Sequence, residues 1–155
     1  MDFSFYPLRI LDIQAETADS KVIRLAIPED LKEKFNFRSG QNMTLRFVYE
    51  GKEERRSYSI NTAPYEQKLE IGVRKLPGGL FSDIFLPRLK AGDFLEVIPP
   101  TGSFTIMDKL VTSNSYVFIA AGSGITPIIS MIKELLYNND DAQVTLVYGN
   151  RDQAS

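Results

Sequence analysis

The chain has no cysteine, no histidine and no tryptophan in 155 residues. Without a thiol or an imidazole it offers no cysteine nucleophile, no histidine base, no zinc cluster and no iron–sulfur ligand set of the ordinary kind. Demanding chemistry therefore falls to a bound cofactor. A basic excess is missing too: 18 Lys and Arg stand against 20 Asp and Glu, a formal charge of −2, which argues against a nucleic-acid surface. No apolar run reaches membrane-spanning length, and the start, Met1 through Pro7, has neither a basic region nor a long apolar stretch. The expectation is a cytoplasmic protein with neither a nucleic acid nor a membrane as partner. Repeats and low-complexity tracts are also lacking, which closes off a solenoid.

What remains is an ordinary globular composition, 43% hydrophobic and 25% charged. From Tyr6 to Ile106 short alternating segments are punctuated by Gly and Pro, the pattern of an antiparallel barrel or sandwich. The spacing predicts strands over Leu8–Ile13, Lys21–Ile27, Met43–Tyr49, Arg55–Ile60, Lys68–Lys75 and Asp93–Ile98, enough to close a small barrel. Leu31–Phe35 reads as a turn of helix and Leu80–Leu86 as a short amphipathic helix. After a polar connector over Asp108–Ser115 the grammar changes. Tyr116–Ala121 is an uninterrupted apolar strand of the kind buried on both faces of a parallel sheet. Thr126 is expected as the helix N-cap with Pro127 as the first helical residue. Ile128, Met131, Ile132, Leu135 and Leu136 recur along one helix face, and Val144–Tyr148 reads as a second buried strand.

The division expected is therefore 1–107 for the barrel and 108–155 for a βαβ unit. Two parallel strands and one helix cannot cover both faces of a sheet, so this second unit is expected to be a fragment or to be completed by another chain.

Chemistry concentrates in three places. Arg56 and Tyr58 lie two apart on one strand and share a face, pairing a cation suited to a phosphate oxygen with a flat aromatic surface on which an isoalloxazine ring could stack. Ser59 points the other way and reaches a ring edge only where the strand end twists or bulges. Gly78–Gly79 permits close backbone approach, and the helix that follows aims the amides of Leu80, Phe81 and Ser82 at an anion. Gly122, Ser123 and Gly124, followed by Ile125 and Thr126, sit between a buried strand and a helix, where glycine-rich turns cradle dinucleotide phosphates. Each feature taken singly also has an ordinary explanation: a solvated strand Arg, a core Tyr, a water-bonded Ser, a tight strand-to-helix connection. The carboxylate pairs Glu53–Glu54 and Asp140–Asp141 read as solvated turn residues, and Met43, Met107, Met131, Phe85 and Leu86 as core filler. No catalytic side chain and no metal ligand set is expected.

The order Arg56-x-Tyr58-Ser59, Gly79-x-x-Ser82, Pro100-x-Gly102-x-Phe104 and Gly122-Ser123-Gly124-Ile125-Thr126-Pro127 resembles the ferredoxin-NADP reductase family across nearly the whole chain. Phe37–Gln41 and Tyr148–Arg151 add a similarity to the reductase subunits of multicomponent aromatic oxygenases. The resemblance implies a mainly β fold: a six-stranded antiparallel Greek-key barrel that binds FAD, followed by an incomplete α/β domain for NAD(P)H. It further implies that Arg56 holds the FAD pyrophosphate, Tyr58 stacks on the flavin and Ser59 bonds near N5, with Val73 and Arg74 lining the cofactor. Gly79, Leu80, Phe81 and Ser82 would hold the pyrophosphate, and Thr126 would approach the flavin beside a nicotinamide site at Gly122, Ser123 and Gly124. Electrons would pass from NAD(P)H through FAD to an iron–sulfur or oxygenase protein. The [2Fe-2S] centre would lie in a missing domain or a partner, since this chain has no cysteine. Rival readings keep the barrel but change its use: a flavodoxin, free-flavin or dihydroorotate-linked reductase, or a barrel serving only protein interaction.

Overall fold

The computed structural model describes residues 4–106 and 114–150. Met107 and the connector 108–113, and with them the expected unit boundary, fall outside the described residues.

All six expected barrel strands form. They are β1 (Tyr6–Ala15), β2 (Ser20–Leu25), β3 (Asn42–Tyr49), β4 (Lys52–Ser59), β5 (Leu69–Arg74) and β6 (Phe94–Val97). They make one sheet in the order β4-β3-β6-β1-β2-β5, every neighbouring pair antiparallel. The order brings strands distant in sequence side by side, as a Greek key requires. Period-two alternation decides which face turns inward: Leu8 and Ile10, Ile23 and Leu25, Met43 and Leu45, and Ile71 and Val73 are all at most 2% exposed.

The two edge strands, β4 and β5, meet at a single isolated bridge, Ile60 to Ile71, and are not laddered beyond it. The sheet thus curls on itself but leaves a seam. Phe81 is buried in the barrel core at 1% exposure, its ring centroid 5.2 Å from Phe47 of β3 and 5.5 Å from Tyr58 of β4.

Several local expectations need correction. Leu80–Phe85 winds as a wide π-type turn and Leu86–Arg88 as a 3-10 turn, rather than one regular helix. Pro87, inside that second turn, has no N–H to continue a helical ladder. The expected turn at Leu31–Phe35 begins earlier, as a 3-10 turn over Glu29–Leu31. Glu53 and Glu54 lie in β4, not in a turn; the hairpin turns at Glu50 and Gly51, both with positive φ (50° and 75°), the backbone that suits a two-residue connection. Glu53 then pairs with Arg55 and Arg46, and Glu54 with Arg56.

The second unit contains β7 (Ser115–Ala121), α1 (Ile125–Asn138) and β8 (Gln143–Gly149), with β7 and β8 parallel. The helix starts earlier than expected, with Gly124 at its N-cap. A 3-10 turn over Gly122–Gly124 runs straight into it, so Thr126 sits inside the first turn and donates its Oγ1 to Ser123 O at 2.9 Å. Pro127 is tolerated there because first-turn N–H groups have no helical acceptor.

Burial of β7 and β8 is also less than expected. Ala120 and Phe118 pack with Val144 against Ile128 and Ile132 of α1, but the opposite face is bare: Val117 is 69% exposed, Ile119 76% and Val147 53%. One helix covers one face, and the sequence of a doubly buried strand does not supply the second layer.

The units are joined through α1. Ser130 Oγ, fully buried, donates to Thr62 O at 2.6 Å; Lys133 pairs with Glu66 at 3.2 Å; and Tyr137 stacks on Tyr65 with centroids 4.0 Å apart. These contacts hold α1 against the segment between β4 and β5, which brings Thr126 of its first turn over Gly72 of β5.

Candidate dinucleotide site

The expected residues fall into two neighbouring groups. Arg56, Tyr58 and Ser59 stand on β4 opposite the turn that begins at Gly79, and the Tyr58–Phe81 ring contact of 5.5 Å fixes the two elements side by side. Val73, Arg74, Gly122, Ser123 and Thr126 border a cleft of about 380 Å³ between the β2–β5 face and α1. Gly124 caps the helix and does not border this cleft.

Arg56 and Tyr58 pair across the ladder with Leu45 and Met43, so both lie on the inward-facing side of β4, half-buried, as the two-residue spacing predicts. Arg56 Nη1 is shared between Glu54 Oε2 at 3.0 Å and its neighbour's carbonyl, Arg55 O, at 2.6 Å. Burial pushes the Tyr58 hydroxyl up to about 12, with the Arg56 charge pulling weakly the other way. Tyr58 therefore presents a neutral phenol ring across the physiological range.

Ser59 follows from the register. Asn42 exchanges both backbone bonds with Thr101, at 2.9 Å each, so the Asn42–Ser59 pair is a non-hydrogen-bonded one. The Ser59 N–H then faces away from β3, into the seam beside β5. This strand-edge donor is the group that a ring's polar edge can take up.

The turn at Gly79 is built to keep its amides available. Gly79 N–H donates to Leu76 O at 2.7 Å, Leu76 N–H to Ser82 Oγ at 3.1 Å, and Gly78 N–H to Asp83 Oδ2 at 2.9 Å. The Gly78 N–H, with Lys75 beside it, holds the Asp83 carboxyl below the usual carboxylate range. A Cβ on Gly79 would come within 2.8 Å of Ser82 Oγ and 2.9 Å of Leu76 O, so the turn closes this tightly only with glycine. Among the described residues, the N–H groups of Leu80, Phe81 and Ser82 have no acceptor. Phe81 contributes backbone alone, since its ring is in the core.

On the other side, the Val73 side chain also belongs to the barrel core, at 1% exposure. Arg74 reaches outward: Nε donates to Asp19 Oδ2 at 2.8 Å and Nη1 to Asn150 Oδ1 at 3.2 Å, so it spans the two units at the cleft mouth. The Arg74 guanidinium lowers the Asp19 carboxyl from its ordinary value. Tyr148 OH donates to Gly122 O at 3.2 Å, tying β8 to the glycine turn. Thr126 meets β5 where Gly72 has no side chain; a Cβ there would lie 3.1 Å from Thr126 Cγ2.

Sequence reasoning missed Asp19, Asn150 and Asn61, which also borders the cleft. An isolated turn Asp or loop Asn carries no spacing signal. Among the described residues, no group of acidic side chains is placed to hold a metal, and no helix is long and apolar enough to cross a membrane.

A curled six-stranded sheet with an open seam, a glycine-led turn whose amides lack acceptors among the described residues, and a following βαβ unit whose strand-to-helix turn is glycine-rich together define the flavoprotein reductase class. Comparison with known proteins agrees. Residues 7–106 match the oxidoreductase FAD-binding domain family, and residues 118–155 the oxidoreductase NAD-binding domain. The chain belongs to this ferredoxin reductase-like family of FAD- and NAD-binding oxidoreductases. It is 36% identical over 152 residues to one of the subunits of 1,2-phenylacetyl-CoA epoxidase from Escherichia coli, covering 98% of this chain and 43% of that protein. It is 35% identical to the ferredoxin reductase component of 3-ketosteroid-9-alpha-monooxygenase of Rhodococcus rhodochrous, covering 96% of this chain and 42% of that one. Phthalate dioxygenase reductase, described as a modular structure for electron transfer from pyridine nucleotides to [2Fe-2S], superposes with a TM-score of 0.79 at 27% identity, over 97% of this chain and 45% of that chain. The chain thus spans less than half the length of the curated relatives it matches.

Proposed function

We propose that this chain is the flavin-binding part, with an adjoining pyridine-nucleotide segment, of an NAD(P)H-dependent reductase that passes electrons to an iron–sulfur acceptor serving an oxygenase. Residues 1–107 form the flavin unit and 108–155 the nucleotide-binding unit. The observation that carries this reading is the Tyr58–Phe81 ring contact of 5.5 Å, which holds the strand bearing Arg56 and Tyr58 against a turn whose amides at Leu80, Phe81 and Ser82 have no acceptor among the described residues.

The residues present fit FAD. Arg56 and the amides of Leu80, Phe81 and Ser82 would hold the pyrophosphate, with Gly79 allowing the approach. Tyr58 would offer a stacking surface to the ring, and Ser59 a backbone donor to its edge. When bound, FAD supplies a hydride acceptor that can release electrons singly. Arg74, Gly122, Ser123, Gly124 and Thr126 would hold the pyridine nucleotide, and the packing of α1 on β5 would help to shield that site from water. Among the described residues, none is assigned a proton-transfer role. The acceptor is an iron–sulfur or oxygenase protein, its [2Fe-2S] centre lying in a further domain or in a partner, and the reaction belongs in the cytoplasm.

Visible absorbance tests this directly. The purified chain, as isolated or after incubation with FAD, is expected to show flavin bands at one equivalent. A folded, colourless chain that cannot be loaded overturns the reading and leaves the barrel as an interaction module.

A further inference from the structure

Asn61 lies two residues past the end of β4. Ile60 before it is fully buried in the barrel, so strand alternation turns Asn61 outward onto the cleft bordered by Gly72, Thr126 and Ile129. The backbone of this stretch is anchored at three points. Ile60 N–H donates to Gln41 O at 3.0 Å, Asn61 N–H to Glu70 O at 3.1 Å, and Thr62 O accepts from Ser130 Oγ at 2.6 Å. Thr62 Oγ1 in turn donates to Lys68 O at 2.7 Å.

The Asn61 carboxamide takes no part in any of this. Among the described residues its side chain makes no hydrogen bond, and Oδ1 is enclosed without a partner. Its Nδ2 lies 3.9 Å from where a Cβ on Gly72 would stand, a position that glycine leaves empty. The segment is therefore held rigidly on both sides while its one amide side chain is left unsatisfied. Such a group costs folding free energy, and an orphan of this kind on a cleft wall marks a use outside the fold.

We propose that the Asn61 carboxamide reads an amide edge, an N–H beside a C=O, on a ring seated in this cleft. A primary carboxamide carries a donor and an acceptor side by side, and rotation about χ2 presents either end at small cost, so it matches such an edge with two hydrogen bonds. The imide edge of the isoalloxazine ring and the carboxamide of nicotinamide share this chemistry. The inference rests on the flavin and nicotinamide reading above and adds to it a specificity-determining residue.

The test uses the full chain and the variants Asn61→Ala and Asn61→Asp, with three readouts: thermal midpoint without ligand, FAD affinity from flavin fluorescence, and perturbation of bound-flavin absorbance on titration with NAD⁺. The ligand-free midpoint of Asn61→Ala is expected to equal or exceed that of the wild type, because an unsatisfied buried group has been removed. Ligand affinity is expected to fall about tenfold, in FAD binding if the flavin is the source and in NAD⁺ binding alone if it is nicotinamide. Asn61→Asp, which replaces the donor with a charge, is expected to weaken the same ligand at least as much. Unchanged FAD affinity together with unchanged or undetectable NAD⁺ binding overturns the proposal while leaving the flavin reading intact. A loss of affinity that merely tracks a lowered ligand-free midpoint overturns it too. A wild-type chain that takes up no FAD brings down the flavin reading itself, and this proposal with it.

Discussion

Arg56 is occupied before any ligand arrives, and that makes its contribution separable. Its guanidinium, 40% exposed, lies 3.0 Å from Glu54, itself 28% exposed. An exposed pair of this kind contributes ~0–1 kcal/mol to folding. Arg56→Ala is therefore expected to move the unfolding midpoint by no more than about 4 °C. The same change removes a charge-assisted bond to pyrophosphate of ~1.5–3 kcal/mol, so FAD should bind roughly 10- to 150-fold more weakly. Glu54 competes with the pyrophosphate for one guanidinium. Glu54→Gln keeps the side chain's size, removes that competition, and should tighten FAD binding by up to about fivefold, an energy of ~1 kcal/mol. Quenching of FAD fluorescence on titration with each variant reads both effects. The Glu54→Gln gain should shrink at high salt, where the competing charge is already screened. A folded Arg56→Ala chain with wild-type FAD affinity would refute the reasoning. So would a large loss of stability in that variant, which would make Arg56 a structural residue.

Two further outcomes follow from the geometry. Phe81 is 1% exposed and touches the rings of Phe47, Tyr58 and Phe85, so Phe81→Ala should cost ~3–5 kcal/mol in chemical denaturation; a loss under ~1 kcal/mol would show that this ring does not hold the turn against β4. Folding holds the Tyr58 proton more tightly than the unfolded chain does, so stability should decline as pH rises from 10 toward about 12, and Tyr58→Phe should flatten that decline in alkaline titrations followed by circular dichroism.

Much of the fold could be read from residue order because its determinants are local. The alternation in Met43–Tyr49 and Lys68–Lys75, with Gly and Pro between segments, locates the strands within a few residues. What local pattern does not contain is pairing. The seam exists because β4 and β5, with the 3-10 turn at Pro64–Glu66 between them, meet at only one bridge. The direction of the Ser59 N–H depends on Thr101 having claimed Asn42. The helix start shifted because a 3-10 turn over Gly122–Gly124 needs no side-chain cap, so the capping chemistry of Thr126 was a misleading signal. Likewise, the apolar run Tyr116–Ala121 records what the strand is suited to, while Val117 and Ile119 stand exposed because α1 covers only the opposite face. The site residues legible in sequence are those with spacing, Arg56 with Tyr58 and Gly79 with Ser82. Asp19 and Asn61 acquire meaning only when β1, β2, β5 and α1 surround one cleft.

Amide hydrogen exchange, residue by residue, with and without FAD, probes the shared grip most directly. The account predicts that the N–H groups of Ser59, Leu80, Phe81 and Ser82 slow together on adding FAD, although they belong to separate elements. Protection confined to β4, or to the turn after Gly79, would contradict it.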